Sequence, residues 1–141
     1  MSAPGSVTAE PGMVLIAPGQ PRIPLAASLA YDDSDPYAVR VAFHVGFDKP
    51  VEWTFARDLL AEGATRRAGI GDVQVRPHAT DKQVLCLELS SPFGEALFEV
   101  PAADVADFLT RTYRLVPRGS EPAHVDVDNI LSRLLAGDGQ G

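Results

Sequence analysis

The sequence predicts an α+β fold in which a curved antiparallel β-sheet packs against helices from the C-terminal third of the chain. The first hundred residues contain several segments in which apolar and polar residues alternate with period two, separated by short turns. The segments that follow repeat their apolar residues at helical spacing. Strands that precede helices, instead of alternating with them, favour an antiparallel sheet with the helices on one face or at one end.

The first residues of the chain predict little regular structure, and strand candidates follow them. Residues 1–12, MSAPGSVTAEPG, are rich in Pro, Gly and Ser, and we expect them to be poorly ordered. MVLIA (13–17) is a short strand candidate that the turn-forming PGQP ends, and a weaker strand runs through IPLAASLAY (23–31). The acidic DDSDP (32–36) predicts a turn after it.

The next strand shows the clearest alternation. From Tyr37 to Val45 every odd position holds valine or an aromatic residue, whereas Arg40 and His44 occupy even positions. This pattern predicts a strand with one face in the core.

Residues 51–63, VEWTFARDLLAEG, pass from strand to helix with no Gly, Pro or Asn between the two elements. Val51, Trp53 and Phe55 share one strand face, and the leucine pair that follows falls at helical offsets from Phe55. The corner therefore predicts tight packing, with Trp53 and Phe55 against the sheet.

Two residues are candidate caps of this short helix. Thr54 is a possible N-cap, and Gly63 stands where a left-handed C-terminal cap is expected. The corner thus needs no separate loop, and we interpret it as a packing device.

Three further strands follow, in GDVQVRP (71–77), QVLCLELS (83–90) and GEALFEV (94–100). Pro92 and Gly94 supply turn chemistry between the last two, which predicts a hairpin.

Two helices are predicted in the C-terminal third. The first, PAADVADFLTRTYR (101–114), opens with Pro, carries acidic residues early and arginines late, and buries one face. That face comprises Val105, Phe108, Leu109 and Thr112. The second begins at Asp126 or Asp128 and carries an apolar stripe that includes Leu131 and Leu135. The tail at 137–141 is expected to be disordered, which leaves a single domain at 13–136.

Composition and charge limit the classes of function. With 141 residues, 45% hydrophobic residues and 22% charged residues, the chain is typical of one soluble globular domain. A net charge of −7 argues against a broad nucleic-acid footprint, because phosphate binding relies on Lys and Arg. A local basic patch remains compatible with this charge.

The cell compartment follows from cysteine usage and hydropathy. The single Cys86 lies within an apolar run, which is typical of a small buried hydrophobic residue in a reducing compartment. No signal-peptide pattern and no run long enough to cross a bilayer is readable. We therefore expect a cytoplasmic protein that reaches a membrane only through a partner.

No pattern predicts an enzyme, a metal site or a bound cofactor. The histidines, His44, His78 and His124, lack the spacing of zinc ligands. The acidic residues at 32–35 lack the Gly and Glu positions of a calcium loop, so a turn is the better interpretation. The GxG in AGIGD (68–72) opens no helix, and the serine pair at 90–91 does not form a hydrolase elbow.

Two groups of residues are candidates for an interaction surface. Arg57, Arg66, Arg67 and Arg76 could form a positive patch, with Trp53 or Tyr37 as a stacking surface for single-stranded nucleic acid. The alternative is that these arginines pair with carboxylates and that the aromatic residues belong to the core. Similarly, the stripe with Leu131 and Leu135 either docks onto a partner or closes its own domain.

Taken together, these blocks resemble the SsgA-like family of sporulation-specific cell division proteins of actinomycetes. The blocks are YDDSDPYAVRVAFHV, VEWTFARDLLAEG, GDVQVRP, LELSSPFGEALFEVP followed by LTRT, and VPRGSE before DVDNILSRLL. The resemblance covers roughly residues 25–136, whereas SVTAEPGMVLIAPGQPRIP is less like the family's usual opening strand.

The resemblance implies a non-enzymatic adaptor. SsgA-like proteins act in septum positioning and cell-wall remodelling during sporulation, and one branch recruits the tubulin-like division protein FtsZ. The resemblance also implies a fold similar to the whirly domains, assembled as a bell-shaped homotrimer. The expected partners are thus FtsZ, or other division proteins, and further copies of the chain, and no catalytic residue is implied. A single-stranded nucleic-acid-binding protein of whirly-like fold is the alternative, and it rests on fold analogy alone.

Overall fold

A computed structural model of the chain describes residues 5–44, 49–92, 94–125 and 135. Within these ranges, eight strands form one sheet, accompanied by two helices and one 3-10 turn. The strands are β1 (Ser6–Ala9), β2 (Gly12–Ile16), β3 (Ile23–Asp32), β4 (Ala38–His44), β5 (Val51–Ala56), β6 (Val73–Pro77), β7 (Val84–Ser91) and β8 (Gly94–Pro101). The helices are α1 (Arg57–Gly63) and α2 (Ala102–Leu115), and the 3-10 turn is Glu121–His124.

The sheet is antiparallel throughout these strands, as the short turns predict. Its order is β5-β4-β3-β2-β8-β7-β6, and β1 pairs with β3 beyond the stretch that β2 occupies. The predicted hairpin is β7–β8, whose register runs from Val84 opposite Pro101 to Ser91 opposite Gly94. Most strands that follow one another along the chain are therefore also neighbours in the sheet.

The sheet curls until its two halves touch. Phe43 of β4 and Phe98 of β8 stack with ring centroids 4.2 Å apart, although β3 and β2 separate their strands in the sheet. Helix α1 links β5 and β6, the two ends of the strand order, and contacts both. The result is a curved, nearly closed barrel, with α1 across the gap between its edges.

Helix α2 covers the core with the predicted face. Val105, Phe108, Leu109 and Thr112 are its buried residues, with Asp104 in the first turn and Arg114 in the last. Cys86 is buried as expected, and its burial raises the pKa of the thiol. The core beneath them is built mainly from β3, β4, β7 and β8.

The N-terminal segment differs from its prediction. Residues 6–9 are strand β1, paired with the end of β3, where poor order was expected for the whole of 1–12. The Arg111 Nη1 donates a hydrogen bond of 2.9 Å to the Thr8 carbonyl, which ties β1 to α2. These are long-range partners, so the local Pro- and Gly-rich composition does not indicate them.

The strand-to-helix corner is tight, but its caps were predicted wrongly. Ala56, not Thr54, is the N-cap of α1, and it makes no side-chain cap hydrogen bond. Gly63 is the last helical residue and has no left-handed conformation. A Cβ on Gly63 would instead collide with the Val75 side chain and lie 2.9 Å from the Val75 carbonyl oxygen. Glycine is therefore needed here for the close approach of α1 to β6.

Two aromatic residues are less buried than the alternation predicts. Phe55 is buried, whereas Trp53 is only half-buried and Tyr37 is 49% exposed. Tyr37 lies in the turn before the first residue of β4, so it does not occupy the core face of that strand. The second predicted helix lies outside the described residues except for Leu135, which is helical and exposed.

The contact between α1 and β6 makes a testable prediction. We expect Gly63→Ala to lower the free energy of unfolding by about 1–3 kcal/mol, the range for overpacking a tight core contact. Urea unfolding measures it. Gly71→Ala is the matched control, because a Cβ there meets nothing within 4 Å, and we expect a change within about 0.5 kcal/mol. Equal losses of unfolding free energy in the two variants would contradict a tight contact between Gly63 and Val75.

Candidate functional site

The four predicted arginines do not form one positive surface. Arg57 is only 1% exposed, so its prediction as an interaction residue is wrong. It lies at the first position of α1, directly after the strand-to-helix corner, and its side chain turns inward under α2. A buried guanidinium must find partners for its donors, and the residues around it supply most of them.

Arg57 binds three groups in the C-terminal part of the chain. Its Nη1 donates to the Thr112 carbonyl at 3.2 Å and to the Val116 carbonyl at 2.8 Å. Its Nη2 donates to the Glu121 carboxylate at 2.9 Å, which also completes an ion pair. The Nε has no partner in the described part of the chain. Arg57 therefore fastens the end of α2 and the chain after it to the start of α1.

Two tyrosine rings enclose the same guanidinium. Its Cζ lies 4.8 Å from the Tyr31 ring centroid and 4.4 Å from that of Tyr113, within cation–π range. The Tyr31 hydroxyl donates to the Pro36 carbonyl at 2.8 Å, and burial raises the pKa of Tyr31 to about 12. We call Arg57 with Tyr31, Tyr113 and Glu121 the arginine clamp.

Hydrogen bonds keep the Glu121 carboxyl charged. Its own backbone N–H, followed by the Arg57 guanidinium, lowers the pKa of this side chain, and the Gly119 N–H donates to it at 2.8 Å. Glu121 follows Arg57 by 64 residues, so no local sequence signal identifies the pair. The clamp can hold segments together, and within the described residues it offers no open position for a substrate.

The other three arginines pair with carboxylates, as the alternative interpretation expects. Arg66 binds Glu62 one turn earlier at 2.7 Å. Arg67 and Arg76 share Glu88, at 3.9 and 2.9 Å. Their charge is thereby matched on the surface of the sheet and of α1, and it does not combine with Trp53 or Tyr37 into a stacking platform.

The described residues contain no cluster of His, Cys, Asp or Glu suited to hold a metal ion. His78 serves a turn instead, since its Nδ1 accepts the Thr80 and Asp81 backbone N–H groups at 3.1 and 3.0 Å. Asp32 does the same for Ser34, which confirms the predicted acidic turn. None of the helices that the structure describes is long and apolar enough to cross a membrane.

Exposed apolar side chains are the remaining candidates for a functional surface. Large hydrophobic residues are exposed at Ile23, Tyr37, Val51, Ile70 and Leu135. Leu135, a predicted site residue, is 88% exposed. Leu131 lies outside the described residues. The fold and these residues define a small α+β protein with several exposed apolar side chains.

Comparison with known proteins identifies the group to which the chain belongs. The family model described as "Streptomyces sporulation and cell division protein, SsgA" matches residues 25–121. The chain is 49% identical to the sporulation-specific cell division protein SsgB of Frankia casuarinae over 133 residues, 94% of this chain and 93% of that protein. It is 49% identical to the SsgB of Thermobifida fusca, with 96% and 100% covered. The chain therefore belongs to the SsgA family of sporulation and cell division proteins.

Solved structures agree with the fold. An SsgA-like sporulation-specific cell division protein from Thermobifida fusca superposes with a TM-score of 0.82 at 47% identity, covering 94% of this chain and 98% of that one. A second structure, described as "Mutations in SsgB correlate to longitudinal cell division during sporulation of Streptomyces coelicolor", superposes at 0.79 with 48% identity. It covers 84% of this chain and 94% of that one.

The arginine clamp makes a prediction about stability. We expect Arg57→Met to lower the free energy of unfolding by about 3–5 kcal/mol, because it leaves buried acceptors and a carboxylate without their partner. Urea unfolding measures this loss. Arg66→Met removes the exposed ion pair between Arg66, just after α1, and Glu62 near its end, and it is the matched control, with an expected change within about 0.5 kcal/mol. Similar losses in both variants would show that Arg57 acts as an ordinary surface arginine.

Proposed function

We propose that this chain is a non-enzymatic adaptor in sporulation-specific septation, which recruits or positions the FtsZ division machinery at septum sites. The observation that carries the proposal is the near full-length similarity to proteins named for sporulation-specific cell division. Those names support a role in septation during sporulation. FtsZ is the partner that the family resemblance implies, and an acidic chain with exposed apolar side chains is suited to protein contacts.

The partner surface that we propose includes the apolar stripe with Leu131 and Leu135. An exposed leucine on a helix is the usual anchor when an amphipathic helix docks into an apolar groove of another protein. Leu135 has the exposure that such an anchor requires. The adaptor acts in the cytoplasm at the division septum, and it reaches the membrane only through its partners.

Single-stranded nucleic-acid binding is the weaker candidate. Binding of this kind needs a positive groove beside stacking aromatic residues. Arg57 is buried, and Arg66, Arg67 and Arg76 are paired with carboxylates. The chain also carries a net charge of −7, so repulsion from phosphates opposes this function.

The FtsZ proposal predicts co-sedimentation. We expect the protein to pellet with FtsZ polymers from the same organism at low salt, and Leu135→Asp to weaken this association at least about tenfold, because it places a charge in an apolar contact. Ile70→Asp is the matched control, since Ile70 is also fully exposed but lies on the loop before β6. It should pellet like the wild type.

Two outcomes of this experiment would count against the proposal. The absence of co-sedimentation in any assembly state of FtsZ would remove FtsZ as the partner. Wild-type association of Leu135→Asp would leave FtsZ as the partner but exclude Leu135 from the contact.

We further propose that the adaptor is a homotrimer, as its family resemblance implies. Light scattering coupled to size exclusion should then give a mass three times the 15.0 kDa of the chain. Closed rings of three copies use one repeated heterologous contact, so the mass should be constant over a wide concentration range. The mass of a single chain at all concentrations would refute the trimer.

A further inference from the structure

The open end of the curled sheet forms an apolar groove between its two halves. We call it the mouth groove, and its volume is about 260 Å³. Its apolar lining comprises Phe43, Val51, Trp53, Leu89, Ala96 and Phe98. The first three belong to β4 and β5, and the last three belong to β7 and β8. The groove thus lies between the β4–β5 pair and the β7–β8 hairpin, and no residue of α1 lines it.

The size and chemistry of the mouth groove favour an apolar side chain as its occupant. Its volume lies below the range of roughly 300–1,000 Å³ that is typical of small-molecule sites. The stacked rings of Phe43 and Phe98 line it, and Trp53 is only half-buried beside them. A half-buried tryptophan next to a small apolar pocket is a typical anchor point of a protein interface.

Strand β5 supplies a backbone edge beside the groove. It pairs with β4 on one side, and no strand among the described residues pairs with its other side. The opposite edge of the sheet is different, because Ala68 exchanges backbone hydrogen bonds with Val75 of β6 at 2.8 and 3.0 Å. The unpaired side of β5 can therefore accept an extended segment.

The charges around this edge are negative. Glu95 lines the groove, and Glu52 projects from the exposed face of β5 between Val51 and Trp53. Both are exposed, and neither forms an ion pair with any residue that the structure describes. In a segment added to β5, residues next to Glu52 would be cross-strand neighbours, where an opposite charge stabilises pairing.

From these observations we propose that the mouth groove and the outer edge of β5 bind an extended segment of a partner protein in which apolar and basic residues alternate. Apolar side chains enter the groove against Trp53, and the alternate basic side chains lie beside Glu52 on the other face of β5. The inference rests on the proposed function, since it assigns a second partner surface to the adaptor. Its residues differ from Leu131 and Leu135, which belong to the first proposed surface.

Trp53 is the single tryptophan of the chain, and its fluorescence reports on the groove. The probe is the acetylated and amidated peptide KLKLK, titrated at low salt. We expect a saturable blue shift of Trp53 emission and less quenching by acrylamide. The matched peptides ELELE and KGKGK, which lack the basic or the apolar residues, should bind at least about tenfold more weakly.

Two variants assign the binding to the groove. Val51→Asp and Glu52→Lys should each weaken KLKLK binding several-fold, because they alter the apolar lining and the charge beside it. Glu62→Lys changes the net charge of the protein as Glu52→Lys does, but lies on α1 at the far end of β5, and it should bind like the wild type.

Several results would overturn the inference. One is the absence of a saturable change in Trp53 emission, and another is equal binding of the three peptides. A third is that Glu62→Lys weakens KLKLK binding as much as Glu52→Lys does, which would indicate charge attraction alone. A blue shift that grows with protein concentration without peptide, together with sedimentation of larger species, would assign the groove to a second copy of the chain and also overturn it.

The outcome is separable from that of the proposed function. Peptide binding without FtsZ co-sedimentation would keep the groove and remove FtsZ as the partner. FtsZ co-sedimentation that Val51→Asp leaves unchanged, without peptide binding, would keep the function and remove the groove.

Discussion

The buried guanidinium of Arg57 is the interaction on which the arrangement of the chain depends. It binds carbonyl groups at the end of α2 and the Glu121 carboxylate, and it lies between the Tyr31 and Tyr113 rings. Burying a cation is costly, and here the carbonyl and carboxylate acceptors together with the two rings offset the cost, while the Nε has no partner in the described part of the chain. A lysine could not replace it, because a compact ammonium cannot reach carbonyl and carboxylate groups in one plane while stacking on two rings.

The clamp also explains why the strand-to-helix corner is so short. Arg57 must leave β5 and turn inward at once, so a loop between Phe55 and the helix would move the guanidinium away from its partners. At the other end of α1, Gly63 lets the helix approach Val75 of β6. The same short helix thus anchors the C-terminal part of the chain and spans the gap between the sheet edges, and these constraints serve shape instead of catalysis.

Elements with a strong period were predictable from the sequence, and long-range partners were not. The strands from β2 to β8 and the buried face of α2 follow alternation and helical spacing, which are local. Arg57 was predicted to join a positive patch because Arg66, Arg67 and Arg76 lie close to it in the sequence, whereas Glu121, its partner, is remote. Strand β1 was missed for the same reason, since its partners lie at the far end of β3. The mouth groove depends on how far the sheet curls, which no local pattern sets.

An adaptor needs at least two separate surfaces, because a single contact can bind a partner but cannot bring two partners together. The clamp attaches Val116 and Glu121 to the start of α1, whereas the mouth groove opens between β5 and β8. The two proposed surfaces also differ in chemistry, since one includes Leu131 and Leu135 and the other carries Glu52 and Glu95. Partners that match one surface are therefore poor competitors for the other, which is the condition for binding both at once.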